Sequence, residues 1–243
     1  MLRMLDCASM SPWFPHWEVG TPCLLVGTHQ GLVLVDTGLG LHDYLQPSPM
    51  VRFFRLVLGI EDSPERAAVR QLAHLGVRPE SVQHIVMTHL HFDHAGGLPD
   101  FPQAHVHVHR REVDAMQHPR GWMALAYDRD DFTHQPNWVL YEKPAEEWLG
   151  FDAIRLPFTP EILMIPLFGH TRGHCGVAIR DGERWLFQCA DALPTNAQFD
   201  LTPGWVNRLV IGRHVDKIRD CAASHPDVRV LAGHMWRSTF DLL

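Results

Sequence analysis

Short apolar runs that stop on a polar side chain recur along this chain. Leu24-Leu25-Val26 and Leu32-Val33-Leu34-Val35 predict two strands joined around His29-Gln30-Gly31, the second ending at Asp36-Thr37-Gly38. Residues 39–62 hold Pro47, Pro49, Phe53 and Phe54 and read as irregular. That is too long for a simple connection, so the expected role is a lid or an interface. Ser63-Pro64-Glu65 predicts a helix start, with Ser as the cap, Pro at the first helical position and an acid in the first turn. Val69, Leu72, Ala73 and Leu75 would form its buried face and Gly76 its end. His84-Ile85-Val86-Met87 reads as a short buried strand. Ala104 to His109 predicts another strand, with a short helix from about Arg111. Residues 118–160 mix charges, prolines and aromatics and predict loop with short elements. Leu163 to Leu167 is a strand feeding Phe168-Gly169-His170. Val177–Ile179 and Trp185–Phe187 form a hairpin around Asp181-Gly182, the second arm running into Cys189-Ala190-Asp191. Residues 205–223 read as helical through Val206, Leu209, Val210, Val215 and Ile218, and Val228–Leu231 as the last strand, ending at Gly233-His234.

At Asp36, His89, His170 and His234, and nearly so at Asp191, a metal-ligand type of side chain follows the end of an apolar strand. No helical period would bring these residues together, whereas strand ends meeting on one edge of a core would. The densest case is Thr88-His89-Leu90-His91-Phe92-Asp93-His94, with three imidazoles and a carboxylate. These are ligands that zinc and similar divalent cations prefer. A helix would scatter side chains at this spacing around its circumference. A tight loop after a strand can converge them, and Ala95-Gly96-Gly97 supplies a flexible exit.

Composition narrows the class. A chain of 243 residues, 46% hydrophobic, can build one sizeable core, so residues 1–243 are expected to form a single α/β or two-sheet domain. The net charge of −7, from 21 basic and 28 acidic residues without a basic cluster, argues against nucleic-acid binding. Cys7, Cys23, Cys175, Cys189 and Cys221 are odd in number and widely spaced, which reads as reduced thiols in a cytoplasm rather than a disulfide frame. No signal-peptide apolar region and no run long enough for a membrane span is found.

Asp36-Thr37-Gly38, His89-x-His91-x-Asp93-His94, Gly169-His170-Thr171-x-Gly173-His174, Asp191 and Gly233-His234 resemble, in order, the motifs of the metallo-β-lactamase superfamily. The resemblance implies an αββα four-layer sandwich, two mixed β-sheets flanked by helices, with a dinuclear metal site at the open edge between the sheets. It implies that His89, His91 and His170 hold one metal, that Asp93, His94 and His234 hold the second, and that Asp191 bridges them. Asp36 would steady the site from outside, and His174 would make an outer or backbone hydrogen bond rather than bind metal. The cofactors implied are two divalent ions, Zn2+ foremost, with Fe or Mn as alternatives. Two such ions about 3.5–4 Å apart can acidify a water toward a pKa of about 7 and hold an incoming oxygen. A structural zinc would instead be closed by four protein ligands, typically including Cys, and no Cys stands at a ligand position here.

Within the superfamily, His89 to Gly97 followed by Phe101-Pro102-x-Ala104 looks most like the quorum-quenching lactonases that open N-acyl homoserine lactones. The implied reaction is hydrolysis of a small ester or lactone by a metal-bridging hydroxide, with Asp93 or Asp191 relaying a proton to the departing alkoxide. One departure matters: those lactonases often carry a Tyr three residues after the bridging Asp, where this chain has Pro194. Either Tyr127 or Tyr141 compensates, or the substrate differs. Arg172, where relatives commonly have Pro, would favour an anionic substrate or form a structural ion pair. Trp13, Phe14 and Trp17, with Phe53 and Phe54, would wall a pocket or simply belong to the core. His105, His107 and His109 alternate along one strand face and mimic a metal site, yet read as ordinary strand residues, and Cys189 as a buried small residue. The partner expected is a small-molecule substrate, with no nucleic acid and no membrane, in a monomer or homodimer. The rivals are a thioesterase, an aryl-ester or phosphotriester hydrolase with the same site, an iron-dependent oxidoreductase, and a non-catalytic metal-binding module.

Overall fold

The computed structural model describes residues 1–12, 18–195 and 214–242. Its first sheet runs β1 (Leu2–Met10), β2 (Val19–Thr28), β3 (Gly31–Val35), β4 (Val82–Val86), β5 (His105–His109) and β6 (Asn137–Tyr141), in that spatial order. The β1–β2 and β2–β3 pairs are antiparallel; from β3 onward the pairs are parallel. The second sheet contains β7 (Glu146–Trp148), β8 (Phe151–Arg155), β9 (Ile162–Pro166), β10 (Cys175–Asp181), β11 (Arg184–Gln188) and β12 (Val228–Leu231). Its pairs are antiparallel except β11–β12. A short β13 (Met235–Trp236) returns to the first sheet and pairs with β2.

Alternation along β2 and β3 builds two core layers. Leu24, Val26, Val33 and Val35 point at the second sheet and join Ile154, Met164 and Val177. Cys23, Leu25 and Leu34 point the other way, against Leu72 of α3 (Ala68–His74) and Val113 of α5 (Arg110–Gln117). Val215, Ile218 and Cys221 of α6 (His214–Ser224) pack in the same cluster as the second sheet. Two mixed sheets flanked by helices result, the αββα arrangement.

The structure departs from the sequence reading in four places. Residues 39–62 are not irregular but carry α1 (Leu41–Leu45) and α2 (Pro49–Leu58), the latter capped by Ser48, whose hydroxyl accepts from Val51 N at 3.2 Å. Ser63 makes no side-chain cap; Pro64–Arg66 is a single 3₁₀ turn, α3 begins at Ala68, and Ala73 and Leu75 are exposed. β1 was not foreseen, because Asp6 and Ser9 break its apolar pattern. Both are buried, Ser9 Oγ donating to Asp6 at 2.5 Å, at an irregularity in the β1–β2 register. Val228–Leu231 is not the last strand, since β13 follows it. The expected helix over 205–223 is observed from His214, and its first part lies outside the described residues.

Candidate metal centre

The loops that leave β3, β4, β9, β11 and β12 meet at one end of the paired sheets. Asp36, in the left-handed region at φ 55°, is the hub. Its Oδ1 accepts from Thr88 N at 2.8 Å and its Oδ2 from Thr88 Oγ1 at 2.7 Å. Oδ2 also lies 2.9 Å from His94 Nδ1. Thr37 N and Gly38 N donate to the carbonyl of His94 at 2.8 and 3.1 Å, so the 36–38 corner clamps the loop after β4. Within that loop α4 (Phe92–Ala95) is a single turn that carries Asp93 and His94 on consecutive positions.

Outer partners also set the imidazole tautomers. Thr88 Oγ1 gives its proton to Asp36, so at 3.1 Å it accepts from His89 Nδ1. His94 Nδ1 donates to Asp36 and His234 Nδ1 meets Thr21 Oγ1 at 3.2 Å. In each of these three imidazoles the Nδ1 is tied to an outer partner; in His89 and His94 this leaves the Nε2 lone pair free to bind a cation.

The inward atoms fall into groups. His89, His91 and His170 offer ligand atoms within 4.8 Å of one another, and so do Asp93, His94 and His234. His91 Nδ1 and His170 Nε2 are 3.0 Å apart. Asp191 Oδ1 lies 3.5 Å from His94 Nε2 and 3.6 Å from His234 Nε2, while its Oδ2 lies 3.3 Å from His170 Nε2. Its two oxygens therefore face different groups. Asp93 Oδ2 is 3.5 Å from His234 Nε2 and 3.9 Å from His94 Nε2. Two ligands at about 2.0–2.2 Å from a tetrahedral zinc stand about 3.3–3.6 Å apart, which most of these separations match.

The chemistry of the donors fits a cation. His89 Nε2, His94 Nε2 and Asp191 Oδ1 are buried and have no hydrogen-bond partner, an expensive state for polar atoms unless something binds them. Burial, reinforced by neighbouring imidazoles, holds His89 and His91 well below the usual histidine range. Burial opposes the charge of Asp191, but His234 and His170 outweigh it and hold the carboxyl well below its ordinary value. Neutral imidazole and ionised carboxylate are the forms that bind metal. His94 and His234 move upward: burial works against their protonated forms, and the adjacent Asp93 and Asp191 outweigh it. A cation would replace that proton.

His174 is buried beside this set, and its Nε2 accepts from Asp191 N at 3.1 Å. Tyr127 packs its ring 5.0 Å from that of His91 and donates its hydroxyl to Glu112 at 3.0 Å. Arg172 is near the site but anchored by carbonyls at the end of α5, its Nη2 donating to Asp114, Ala115 and His118. Trp122, Met123, Tyr127, His170, Thr171 and Arg172 line a cleft of about 220 Å³ beside His170. Tyr141 is not brought there: its hydroxyl meets His107 Nδ1 at 2.9 Å, and the two rings stack. Phe53 is exposed on α2, and Phe54 stacks on Phe92 at 5.3 Å, behind the loop after β4 rather than in the cleft. Trp13 lies outside the described residues, as do Phe14 and Trp17. His107 and His109 are held by Tyr141 and by the carbonyl of Glu142, and His105 stacks on His84. Cys189 is buried.

Sequence reasoning missed Glu112. Fully buried at the start of α5, it accepts four hydrogen bonds. Oε1 takes Leu90 N at 3.0 Å and the Tyr127 hydroxyl; Oε2 takes Thr171 Oγ1 at 2.6 Å and Gly173 N at 3.1 Å. It thereby couples the β4 loop to the β9 loop. A Cβ at Gly173 would stand 2.1 Å from Glu112 N, so that glycine permits the close approach. In the sequence Glu112 looks like any acid in a first helical turn. The one available hint was that Thr171 and Gly173 supply donors needing an acceptor.

Comparison with known proteins extends this geometry. A probable metallo-hydrolase of Mycobacterium tuberculosis is 42% identical over 193 residues, 77% of this chain and 61% of the relative. The chain thus spans about three fifths of the length of that mycobacterial relative. An N-acyl homoserine lactonase AttM of Rhizobium radiobacter is 29% identical over 226 residues, 90% of this chain and 82% of the relative. Among solved structures, Bacillus thuringiensis AiiA with N-decanoyl-L-homoserine bound at the active site superposes with a TM-score of 0.73. That match has 19% identity and covers 99% of this chain and 95% of the other, a likeness of fold. The metallo-beta-lactamase superfamily model matches residues 16–234, a span that takes in every strand-end motif from Asp36 to His234. With two mixed sheets, flanking helices and the ligand-type side chains gathered at their shared edge, the chain belongs to the metallo-β-lactamase superfamily.

Proposed function

We propose that this protein is a dizinc hydrolase of small lactones and related carboxylic esters. His89, His91 and His170 would hold one cation, Asp93, His94 and His234 the other, and Asp191 would give one oxygen to each. Bound there, such cations would supply an acidified water and polarise the acyl carbonyl. The single observation that carries the reading is the pair of imidazole and carboxylate groups sharing Asp191 beside an open cleft.

The chain's own residues do the rest. Asp36 and Thr88 fix the rings of His94 and His89 through Nδ1, so that both Nε2 atoms are aimed inward. Both oxygens of Asp191 face imidazoles, whereas Asp93 uses only Oδ2 in such contacts. Asp93 Oδ1 is therefore the better placed atom to carry a proton to the leaving alkoxide. Tyr127 walls the cleft and keeps water from the His91 face, its hydroxyl committed to Glu112. A lactone, rather than a thioester or phosphotriester, is favoured by the similarity to N-acyl homoserine lactonases over 90% of the chain. Pro194 offers no hydroxyl at the position where such lactonases often have Tyr, so a substrate that needs no hydrogen bond from that position fits the reading. Five free, buried cysteines suit a reducing cytoplasm, and among the described residues no helix is long and apolar enough to cross a membrane.

A panel of lactones, aryl esters, thioesters and phosphotriesters, run on zinc-loaded protein with elemental analysis, tests the proposal. The expected result is two zinc equivalents, turnover of a lactone or ester, and loss of both metal and turnover in His91→Ala. Turnover confined to thioesters or phosphotriesters, or iron with oxygen uptake, overturns it.

A further inference from the structure

A second set of carboxylates lies apart from the seven residues described above. Asp43 on α1 meets Asp128 and Asp131, which flank and enter the 3₁₀ turn Asp130–Phe132. One oxygen of each lies within 4.8 Å of the others, and the three residues are 1%, 6% and 1% exposed. Among the described residues, no Lys, Arg or His forms an ion pair with any of them. The nearby Arg55 guanidinium instead goes to the carbonyls of Asp43 and Tyr44 and to Asp62. Asp43 Oδ2 accepts from Gly40 N at 2.9 Å, and Asp128 accepts from Ser48 Oγ and from Asp130 N. Asp131 Oδ2 is different: it is buried and has no partner at all.

Three buried acids with no ion-paired cation among the described residues, only Arg55 acting on Asp43 through space, and with one orphaned oxygen, are costly as they stand. From this juxtaposition we infer a calcium site formed by Asp43, Asp128 and Asp131. Calcium binds oxygen at about 2.4 Å, so a single ion reaches ligands up to about 4.8 Å apart, and the three oxygens lie within that reach of one another. Carboxylate oxygens without imidazole or thiol select hard cations over zinc. Magnesium demands a tighter octahedron and keeps its waters, which a buried three-carboxylate corner suits poorly. Without the ion, burial and then mutual repulsion push Asp43 up to about 7 and Asp131 well above the carboxylate range, so protons stand in for the missing charge.

The position gives such an ion a structural consequence. Tyr127 immediately precedes Asp128 and rests on His91. Ser48 caps α2 and donates to Asp128. The carboxylate of Asp43 presses on the metal loop, where a Cβ at Gly96 would meet Asp43 Oδ2 at 2.1 Å. Calcium would therefore tie the wall of the cleft, the start of α2 and the metal loop together, whatever reaction the seven-residue site performs.

Zinc-loaded protein in calcium-free buffer, titrated with calcium chloride, tests this by calorimetry and thermal unfolding. One equivalent should bind, and at a hundredfold excess over Kd the Tm should rise by roughly 5–10 °C. Magnesium chloride should bind at least about tenfold more weakly. Asp131→Asn should abolish the calcium response, keep both zinc equivalents and, without calcium, unfold no earlier than the wild type. Asp128→Asn serves as the second variant should the first not fold. Absence of heat and Tm change in wild type at millimolar calcium overturns the site, as does an unaltered calcium response in either variant.

Discussion

Glu112 shows how one carboxylate can organise a site it does not enter. All four of its partners are donors, and all come from segments that must hold still around the imidazoles: Leu90, Tyr127, Thr171 and Gly173. Burial raises its pKa while these hydrogen bonds oppose the rise, and the net shift is upward. Glu112→Gln keeps the shape but turns an amide N–H₂ toward two of those donors. One buried donor left unsatisfied costs about 1–3 kcal/mol. Urea unfolding should show a loss of that size, and zinc titration should show weaker binding because both ligand loops relax. Unchanged stability and zinc affinity would remove Glu112 from this role. The contrast with the proposed cation ligands is instructive. His89, His91, Asp93 and His94 are conspicuous in the sequence because a ligand set has few acceptable residue types and tight spacing. A residue that merely accepts hydrogen bonds has no such signature. Its meaning depends on donors about 60 positions away, such as Thr171 and Gly173.

Among the elements, the same local signal led to opposite outcomes at two places. Ser48-Pro49 and Ser63-Pro64 carry the same Ser-Pro pair, yet only the second reads as a helix start, the first lying in a stretch that reads as irregular. Only Ser48 caps: its hydroxyl accepts from Val51 N and donates to Asp128, and α2 ends at Gly59 in the left-handed conformation. Ser63 forms no cap bond, and the chain makes one 3₁₀ turn before α3 starts at Ala68. Tertiary contacts decide between two equal local preferences. Ser48→Ala should therefore cost about 1 kcal/mol or somewhat more in denaturant unfolding. Ser63→Ala should fall within about 0.5 kcal/mol of the wild type. Equal effects would mean that the capping bond contributes nothing. The strands with clean alternation, β2 to β4 and β9 to β12, were legible because apolar side chains face both core layers. β1 was not, because its buried Asp6 draws on Ser9, Arg66 and Arg237, and a strand that buries an acid for partners elsewhere in the chain loses its apolar period.

Across the whole molecule, the candidate centre joins both sheets. Its seven side chains come from the loops after β4, β9, β11 and β12, spread over residues 89 to 234. Their order along the chain was visible in the sequence; their convergence follows from β3 to β5 and β11 to β12 running parallel, which no local pattern states. Without cations the same convergence is a liability. His89 Nε2, His94 Nε2 and Asp191 Oδ1 are buried without a hydrogen-bond partner, and Asp93 and Asp191 crowd the same two imidazoles, His94 and His234. Stripping metal should therefore loosen the edge where the sheets meet, not merely the active loop. A ligand present at a hundredfold excess over its Kd adds about 2.7 kcal/mol of stability per site. In a chain of this length each kcal/mol moves the Tm by about 2–4 °C. Two occupied sites thus predict a fall of about 10–20 °C when a chelator removes both, recovered on adding back zinc and read by differential scanning calorimetry. Asp191→Asn should show a much smaller chelator-dependent fall, because the carboxylate shared between the two groups has lost its charge. A wild-type Tm indifferent to chelation would mean that the seven side chains hold no ion in solution, and the proposed hydrolysis would go with it.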